Sequence, residues 1–465
     1  MKLAAVDKNL KFGYLNTASQ LVIPHQFPFR SAVFLKGSSP SPANFLNFFM
    51  LYSSPNNMAS VSKVIIIGGG IGGLTLARAC LDVGIAVELY EKRGLDAMLS
   101  GPGGIFIQRN ALRVYKLLQS GQIYQRFYQQ GGKILKGGFF DQQGKPLYIN
   151  APQFIGEDDL GVCLLRPELQ QILLEALPEG TVRTGAAFEK FEDADNGIRV
   201  FFSDGRTAEG EVLVGADGLY SKVRASLNGR ERLEEPVYSG TCCWRGYFDG
   251  SGLPLDSQYS WAEFWGQGTR FGYFDVGGGR FAFYAFNNTP AGGNDDALGG
   301  SLNALRSLFK GYADPVPAII EALDGEKIYR DDIVDRPPLG TQWGQGRVTL
   351  IGDAAHPVQP SIGQGGCMAV EDSFELAKLL FTSRTGGDTV PSLLRQFEAS
   401  RTQRVTRVFN SSRQIGKLAQ ADTAIGCLLR NAIYKLTPTR LADLQFKWLF
   451  DYQPQWNPAR TNPSE

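Results

Sequence analysis

The sequence predicts an α/β protein: a dinucleotide-binding β-α-β unit, an antiparallel β-sheet region inserted into it, and helices towards the C-terminal end. Three observations carry the prediction. An apolar strand pattern runs into a glycine turn and a helix between residues 64 and 83. Two later short apolar strands end in Asp-Gly and Gly-Asp. Between them, from Trp244 to Phe286, fourteen of 43 residues are aromatic.

Composition bounds the function before any motif is read. With 465 residues, 43% hydrophobic and 20% charged, the chain is globular and long enough for two or three units. Lys plus Arg number 47 against 46 Asp plus Glu, which removes the electrostatic basis for nucleic-acid binding. No apolar run approaches the roughly 18 residues of a membrane span. Two histidines, His25 and His356, exclude a histidine-rich metal centre, and no metal site is expected. Six cysteines without a C-x-x-C pair read as reduced thiols in an intracellular compartment.

Residues 1–62 stand apart. They hold five basic residues and one acid, with Ser, Asn and Pro dense after Ser38. Three readings fit: an organelle transit peptide, a disordered tail, or an early start with Met58 as the initiator. Beyond them the expected organisation is a discontinuous nucleotide-binding domain at 63–235 and 335–390. A substrate-binding sheet region follows at 236–334, C-terminal helices at 391–452 and a tail at 453–465.

The first element is Val64-Ile65-Ile66-Ile67, apolar throughout, as in a strand buried on both faces. Gly68, Gly70 and Gly73 then space out G-x-G-x-x-G. A helix follows from Leu74 to Val83, and a second strand from Ile85 to Tyr90 ends in Glu91-Lys92. Gly68 permits the turn, Gly70 admits a pyrophosphate to the backbone, and Gly73 lets helix and strand pack closely. The helix start favours phosphate charge, and Glu91 stands where a carboxylate accepts bonds from a ribose. A glycine turn serving packing alone is the alternative.

Val212 to Val214 is the next buried strand and turns at Asp217-Gly218, with Ser221 placed to cap a helix. Arg347 to Ile351 is a further strand, ending in Gly352-Asp353. The loop Gly363-Gln364-Gly365-Gly366 then opens a helix from Met368 to Leu380. Backbone N–H groups at such a start stabilise negative charge.

These three motifs, in this order from Lys63 to Trp448, resemble the single-component FAD-dependent monooxygenases related to para-hydroxybenzoate hydroxylase. Asp335-Arg336-Pro337-Pro338, Trp343 to Leu350 and Gln364 to Ala369 are similar to the zeaxanthin epoxidase branch, whereas Trp244-Arg245 departs from it. The resemblance implies FAD as cofactor, with NADPH, NADH or another donor as reductant. It implies insertion of one oxygen atom from O2 through a flavin C4a-hydroperoxide. Glu91, with Lys92 beside it, would bind the adenosine ribose, and Arg166 the pyrophosphate. Asp353 would bind the ribityl chain, and the 363–366 loop the flavin ring. Asp217 and Arg224 would shape the side where a pyridine nucleotide docks.

The aromatic segment, punctuated by glycine turns, reads as antiparallel strands whose faces form ordinary core or roof an apolar pocket. Arg245 lies within it and has either a protein carboxylate or the substrate as partner. No base is evident to ionise a phenol, which favours an alkene. The expected substrate is a carotenoid-like polyene, epoxidised or hydroxylated. The alternatives are a salicylate-like aromatic acid, and a geranylgeranyl-reductase type of double-bond reduction. A non-enzymatic carrier on the same fold is a further contrast. Arg395, Arg401, Arg404, Arg407 and Arg413 recur at near-helical spacing and read as a solvated face pairing with acids. Ile425 to Tyr452 is amphipathic and reads as docked on the core or in contact with a membrane surface. Together these readings place the protein in the cytoplasm or against plastid thylakoids.

Overall fold

The computed structural model describes residues 3–6, 11–15, 21–22, 61–150, 161–382 and 388–455. The chain divides into two compact units, Met1–Asn57 and Met58–Glu465. In the first, Leu3–Val6, Lys11–Leu15 and Leu21–Val22 form a three-stranded antiparallel sheet. His25, Met58 and residues 456–465 of the expected tail lie outside the described residues.

In the second unit the chain opens β1 (Lys63–Ile67), α1 (Ile71–Asp82) and β2 (Ala86–Tyr90). It continues through β3 (Gly104–Gln108), α2 (Arg109–Tyr115), β4 (Gly137–Asp141), β5 (Pro146–Asn150), β6 (Gly161–Leu165) and α3 (Arg166–Glu175). Next come β7 (Val182–Arg183), β8 (Val212–Gly215), α4 (Lys222–Leu227), β9 (Val237–Asp249), β10 (Trp261–Trp265), β11 (Thr269–Gly277) and β12 (Arg280–Asn288). The last elements are β13 (Tyr329–Asp335), β14 (Val348–Leu350), α5 (Gly365–Thr382), α6 (Val390–Ala419), α7 (Ala424–Leu436) and α8 (Thr439–Phe450).

A five-stranded parallel sheet in the order β7-β2-β1-β8-β14 forms the nucleotide-binding core. Val64, Ile65, Ile66, Val212, Leu213 and Val214 are fully buried in it, as strands covered on both faces require. Register decides where the motifs meet. Gly215 pairs with Ile67 on one side and Leu350 on the other. The turns after β1, β8 and β14 therefore share one carboxyl edge of the sheet, where open α/β sheets bind ligands. Helix α1 starts at Ile71, ahead of the expected Leu74, because Gly72 packs against Ala369 of α5. That contact overrides the low helix propensity of glycine.

The aromatic segment is a seven-stranded sheet in the order β13-β9-β12-β11-β10-β4-β5. Its last two strands come from residues 137–150, and β4 pairs in parallel with β10. The period of two along each strand sorts the aromatics. Trp244, Phe264, Phe271 and Tyr273 pack in one cluster with Phe309 and with Leu305, Ile319 and Ile320, from the helices at 301–308 and 316–322. Their neighbours Cys243, Arg245, Trp261, Glu263, Arg270, Phe274, Tyr284 and Phe286 face a cleft.

The expected solvated arginine face is corrected. Arg401, 4% exposed, binds Glu371 at 2.9 Å and Asp372 at 2.7 Å, and Arg404 binds Glu371 at 2.6 Å. Arg395 pairs with Glu398 and Arg413 with Asp335, while Arg407 stacks on Trp448 at 3.9 Å. Arg401, Arg404 and Arg413 bind α6 inward, because Glu371 and Asp372 are buried on α5 and Asp335 is buried at the end of β13.

Candidate active site

The three turns at the sheet edge, the loop before α5 and the cleft face of the antiparallel sheet enclose one cavity of about 740 Å3. Of the residues expected at the site, Gly70, Arg166, Asp353, Gly363, Gly365, Gly366 and Arg245 line it.

At the nucleotide end, a Cβ built on Gly70 meets nothing within 4 Å, which leaves an open cradle beside the backbone. Gly73 is the opposite case: its Cβ would lie 2.0 Å from the Gly68 carbonyl oxygen. Both glycines are needed, one for the ligand and one for packing. Gly70→Ala should fold normally, since its φ of −76° suits any residue, and should weaken nucleotide binding. Gly73→Ala should lower stability with or without nucleotide. Thermal melts and a nucleotide titration check the pair of outcomes.

Glu91, 4% exposed, is not itself in the cavity wall. Its Oε2 accepts from the Gly69 amide at 2.8 Å, and its Oε1 accepts from Arg93 Nε at 2.8 Å. Burial opposes its charge, but these bonds outweigh burial and hold the carboxyl below its ordinary value. Lys92 is exposed and outside the wall. The Arg166 guanidinium opens into the cleft, with no hydrogen bond to protein among the described residues. Burial pushes its pKa down, against the pull of Asp353. Asp353 is open to the cavity but enclosed on its other sides. Burial raises its pKa against the attraction of His356 and Arg166. A Cβ on Gly365 would lie 3.8 Å from Asp353 Oδ1, so this carboxylate stands beside the start of α5. A cation open to the cleft with no protein hydrogen bond, a cradle at Gly70 and a carboxylate lacking donors together fit a dinucleotide.

Three expected contacts, Asp217, Arg224 and Gln364, lie elsewhere. Asp217 caps α4: its Oδ2 accepts from the Lys222 and Val223 amides at 2.8 and 3.2 Å, and Ser221 Oγ donates to its Oδ1. Only its neighbours Ala216 and Gly218 line the cavity. Arg224 donates to the carbonyls of Ala354 and Ala355, tying the Asp-Gly turn to the Gly-Asp turn. The Gln364 side chain is fully buried and points away from the cleft. It donates to Gln108 Oε1 at 2.7 Å and accepts from Asn110 Nδ2 at 3.0 Å. Gln108 in turn donates to the carbonyls of Ile362 and Gly363. This amide chain fixes the glycine loop against β3 and α2.

Beyond the nucleotide end, the cavity runs along the antiparallel sheet to α7 and α8, past Phe106, Phe274, Tyr434, Phe446 and Phe450. This wall is less apolar than its composition implies. Glu263, 5% exposed, accepts from Arg270 at 2.9 Å, from Trp265 Nε1 at 2.8 Å and from the Tyr284 hydroxyl at 2.8 Å. Burial first, and then Glu263, push the Tyr284 phenol well above its ordinary value, so it stays protonated. Arg245 pairs with Asp331, so of the two partners expected for it the protein carboxylate is the one seen.

Residues 61–242 and 331–412 match the family described as FAD binding domain. An aurachin C monooxygenase/isomerase from Stigmatella aurantiaca is 35% identical over 84% of this chain and 98% of its own length. A chloroplastic zeaxanthin epoxidase from Arabidopsis thaliana is 38% identical over 76% of this chain. The present chain spans about half of that enzyme's length, 54%. Among solved structures, Klebsiella pneumoniae HpxO complexed with FAD and uric acid superposes with a TM-score of 0.74. It is 27% identical and covers 85% of this chain and 98% of its own.

Proposed function

Because this chain belongs to the FAD binding domain family and is an FAD-dependent monooxygenase, we propose that it transfers one oxygen atom to an elongated apolar substrate with a polar end. A hydroxylated carotenoid is the type, and NADPH or NADH is the reductant. The supporting observation is the cavity itself. It continues from the nucleotide cradle into an aromatic chamber whose polar group, the Glu263–Arg270–Tyr284 network, is internally paired.

Bound FAD supplies electron transfer from the nicotinamide and activation of dioxygen, chemistry that no side chain provides. The chain's residues position and protect. Arg166 meets the pyrophosphate charge, Asp353 accepts from ribityl hydroxyls, and the amides of Gly365 and Gly366 at the start of α5 favour negative charge on the ring. Tyr284 and Glu263 hold the polar end of the substrate by hydrogen bonds. The aromatic wall keeps water from the reacting double bond. Alkene oxygenation needs no base, and Glu263, the carboxylate of the aromatic chamber, is already paired with Arg270, Trp265 and Tyr284. A relative named for zeaxanthin epoxidation supports the polyene. The aromatic-acid reading draws no support from Arg245, whose charge Asp331 already offsets.

The test is product mass after incubation with FAD, NADPH and air, with a hydroxylated carotenoid and salicylate side by side. The carotenoid should gain one oxygen and salicylate none. Oxygenated salicylate with untouched carotenoid would contradict the reading.

A further inference from the structure

Helix α7 is amphipathic in the inverse sense of an ordinary surface helix. Ile425, Leu428, Leu429, Ile433 and Leu436 form one stripe at three- and four-residue spacing. They are 50–78% exposed. The opposite face carries Arg430, which is 1% exposed and donates to the carbonyls of Gly266 and Ala419 at 2.9 Å. It also carries Tyr434, packed on Trp265 at 4.6 Å. So α7 buries its cation and presents its leucines. Leu441 and Leu444 of α8 extend the stripe, at 58% and 61% exposed. Of the fourteen large hydrophobics exposed among the described residues, seven fall between 425 and 444. A patch so concentrated marks a contact surface.

The same two helices close the far end of the cavity. Ile433, Thr437, Gln445 and Phe446 line it, and Ile433 belongs to the exposed stripe as well. Ile433 thus joins the exposed stripe to the cavity lining. Apart from the buried Arg430, the segment from Ala424 to Phe450 has three basic residues and one acid in its sequence, a net positive charge suited to anionic headgroups.

We propose that the α7–α8 face docks on the surface of an anionic lipid bilayer, with the cavity mouth opening towards the lipid. The proposal rests on the apolar-substrate reading for its purpose, since such a substrate resides in lipid. That Ile433 belongs to both the patch and the cavity lining argues for lipid, from which an apolar substrate would enter, over a second copy of this chain. The depth is that of an interfacial helix: no helix among the described residues is long and apolar enough to cross a membrane.

The experiment is co-sedimentation of the FAD-loaded protein with phosphatidylcholine vesicles containing increasing phosphatidylglycerol. The comparison is the double variant Leu428→Glu, Leu436→Glu; neither residue lines the cavity. Flavin absorbance and light scattering establish that the variant is folded and report its mass. Wild-type protein should bind, more strongly as the anionic fraction rises, and the variant should bind at least about tenfold less. Wild-type protein remaining in the supernatant would overturn the proposal, as would variant binding equal to it. A concentration-dependent dimer that the variant abolishes, without vesicle binding, would overturn it in favour of self-association. No substrate is present, so failure here is distinct from failure of the carotenoid reading.

Discussion

Replacing Asp353 by alanine should weaken FAD binding about ten- to hundredfold, the equivalent of losing a charged hydrogen bond of about 1.5–3 kcal/mol. Asp353 is the carboxylate that lines the cavity beside the start of α5, and burial already raises its pKa for want of donors. Ligand hydroxyls would supply those donors. Asp217→Ala is the informative contrast. Its carboxylate is spent on the α4 amides, so the loss should appear as about 1 kcal/mol of stability, with FAD affinity changed far less. Fluorescence titration of FAD into both apo variants separates the two. Equal dissociation constants would contradict the assignment of Asp353.

The second large effect should come from Arg401, which touches no cavity atom. Arg401→Ala leaves the buried Asp372 without its arginine and Glu371 with Arg404 alone, and breaking a buried pair from one side costs about 3–5 kcal/mol. Urea unfolding should show the loss in the apo protein. The pH dependence adds a second readout. Burial alone would raise the Asp372 carboxyl, but His356 and Arg401, with the bond from the Gly352 amide, hold it down at about 2. A folded-state value below the ordinary one stabilises the fold above the unfolded value near 4. That stabilisation is lost as pH falls towards 2. In Arg401→Ala the acid-dependent loss should be smaller, because the folded-state value moves back towards the unfolded one and the window between them narrows. An unchanged acid profile and urea midpoint would show that the cluster is not coupled to folding. Since Asp372 also holds Gly352 and His356, the variant should retain FAD less well.

The nucleotide end was legible in the sequence because its physics is local. Glycine spacing, an apolar strand and a terminal acid fall within 28 residues, from Val64 to Glu91. The substrate end was not, because its decisive relations are long-range. Glu263 and Arg270 meet only through the β10–β11 register, which sets Trp265 opposite Arg270 and Glu263 opposite Gly272. The Gly266–Gly268 turn was the available signal, and a hairpin closed there brings the two charges to one face. The addition of β4 and β5 to the same sheet spans more than 100 residues and left no local pattern. Periodicity also grouped the α7 leucines correctly on one face, but a period cannot tell whether that face points inward. The arginines of α6 failed for the same reason: their spacing was visible and their buried acids were not.

The most direct test of the central claim is the fate of isotopically labelled dioxygen. FAD-loaded protein is given NADPH, labelled O2 and a hydroxylated carotenoid in mixed vesicles, and the product is weighed by mass spectrometry. The predicted product carries one labelled oxygen atom, with one NADPH consumed per product. A polyene whose double bond is reduced, or label found only on an aromatic acid offered beside it, would contradict it.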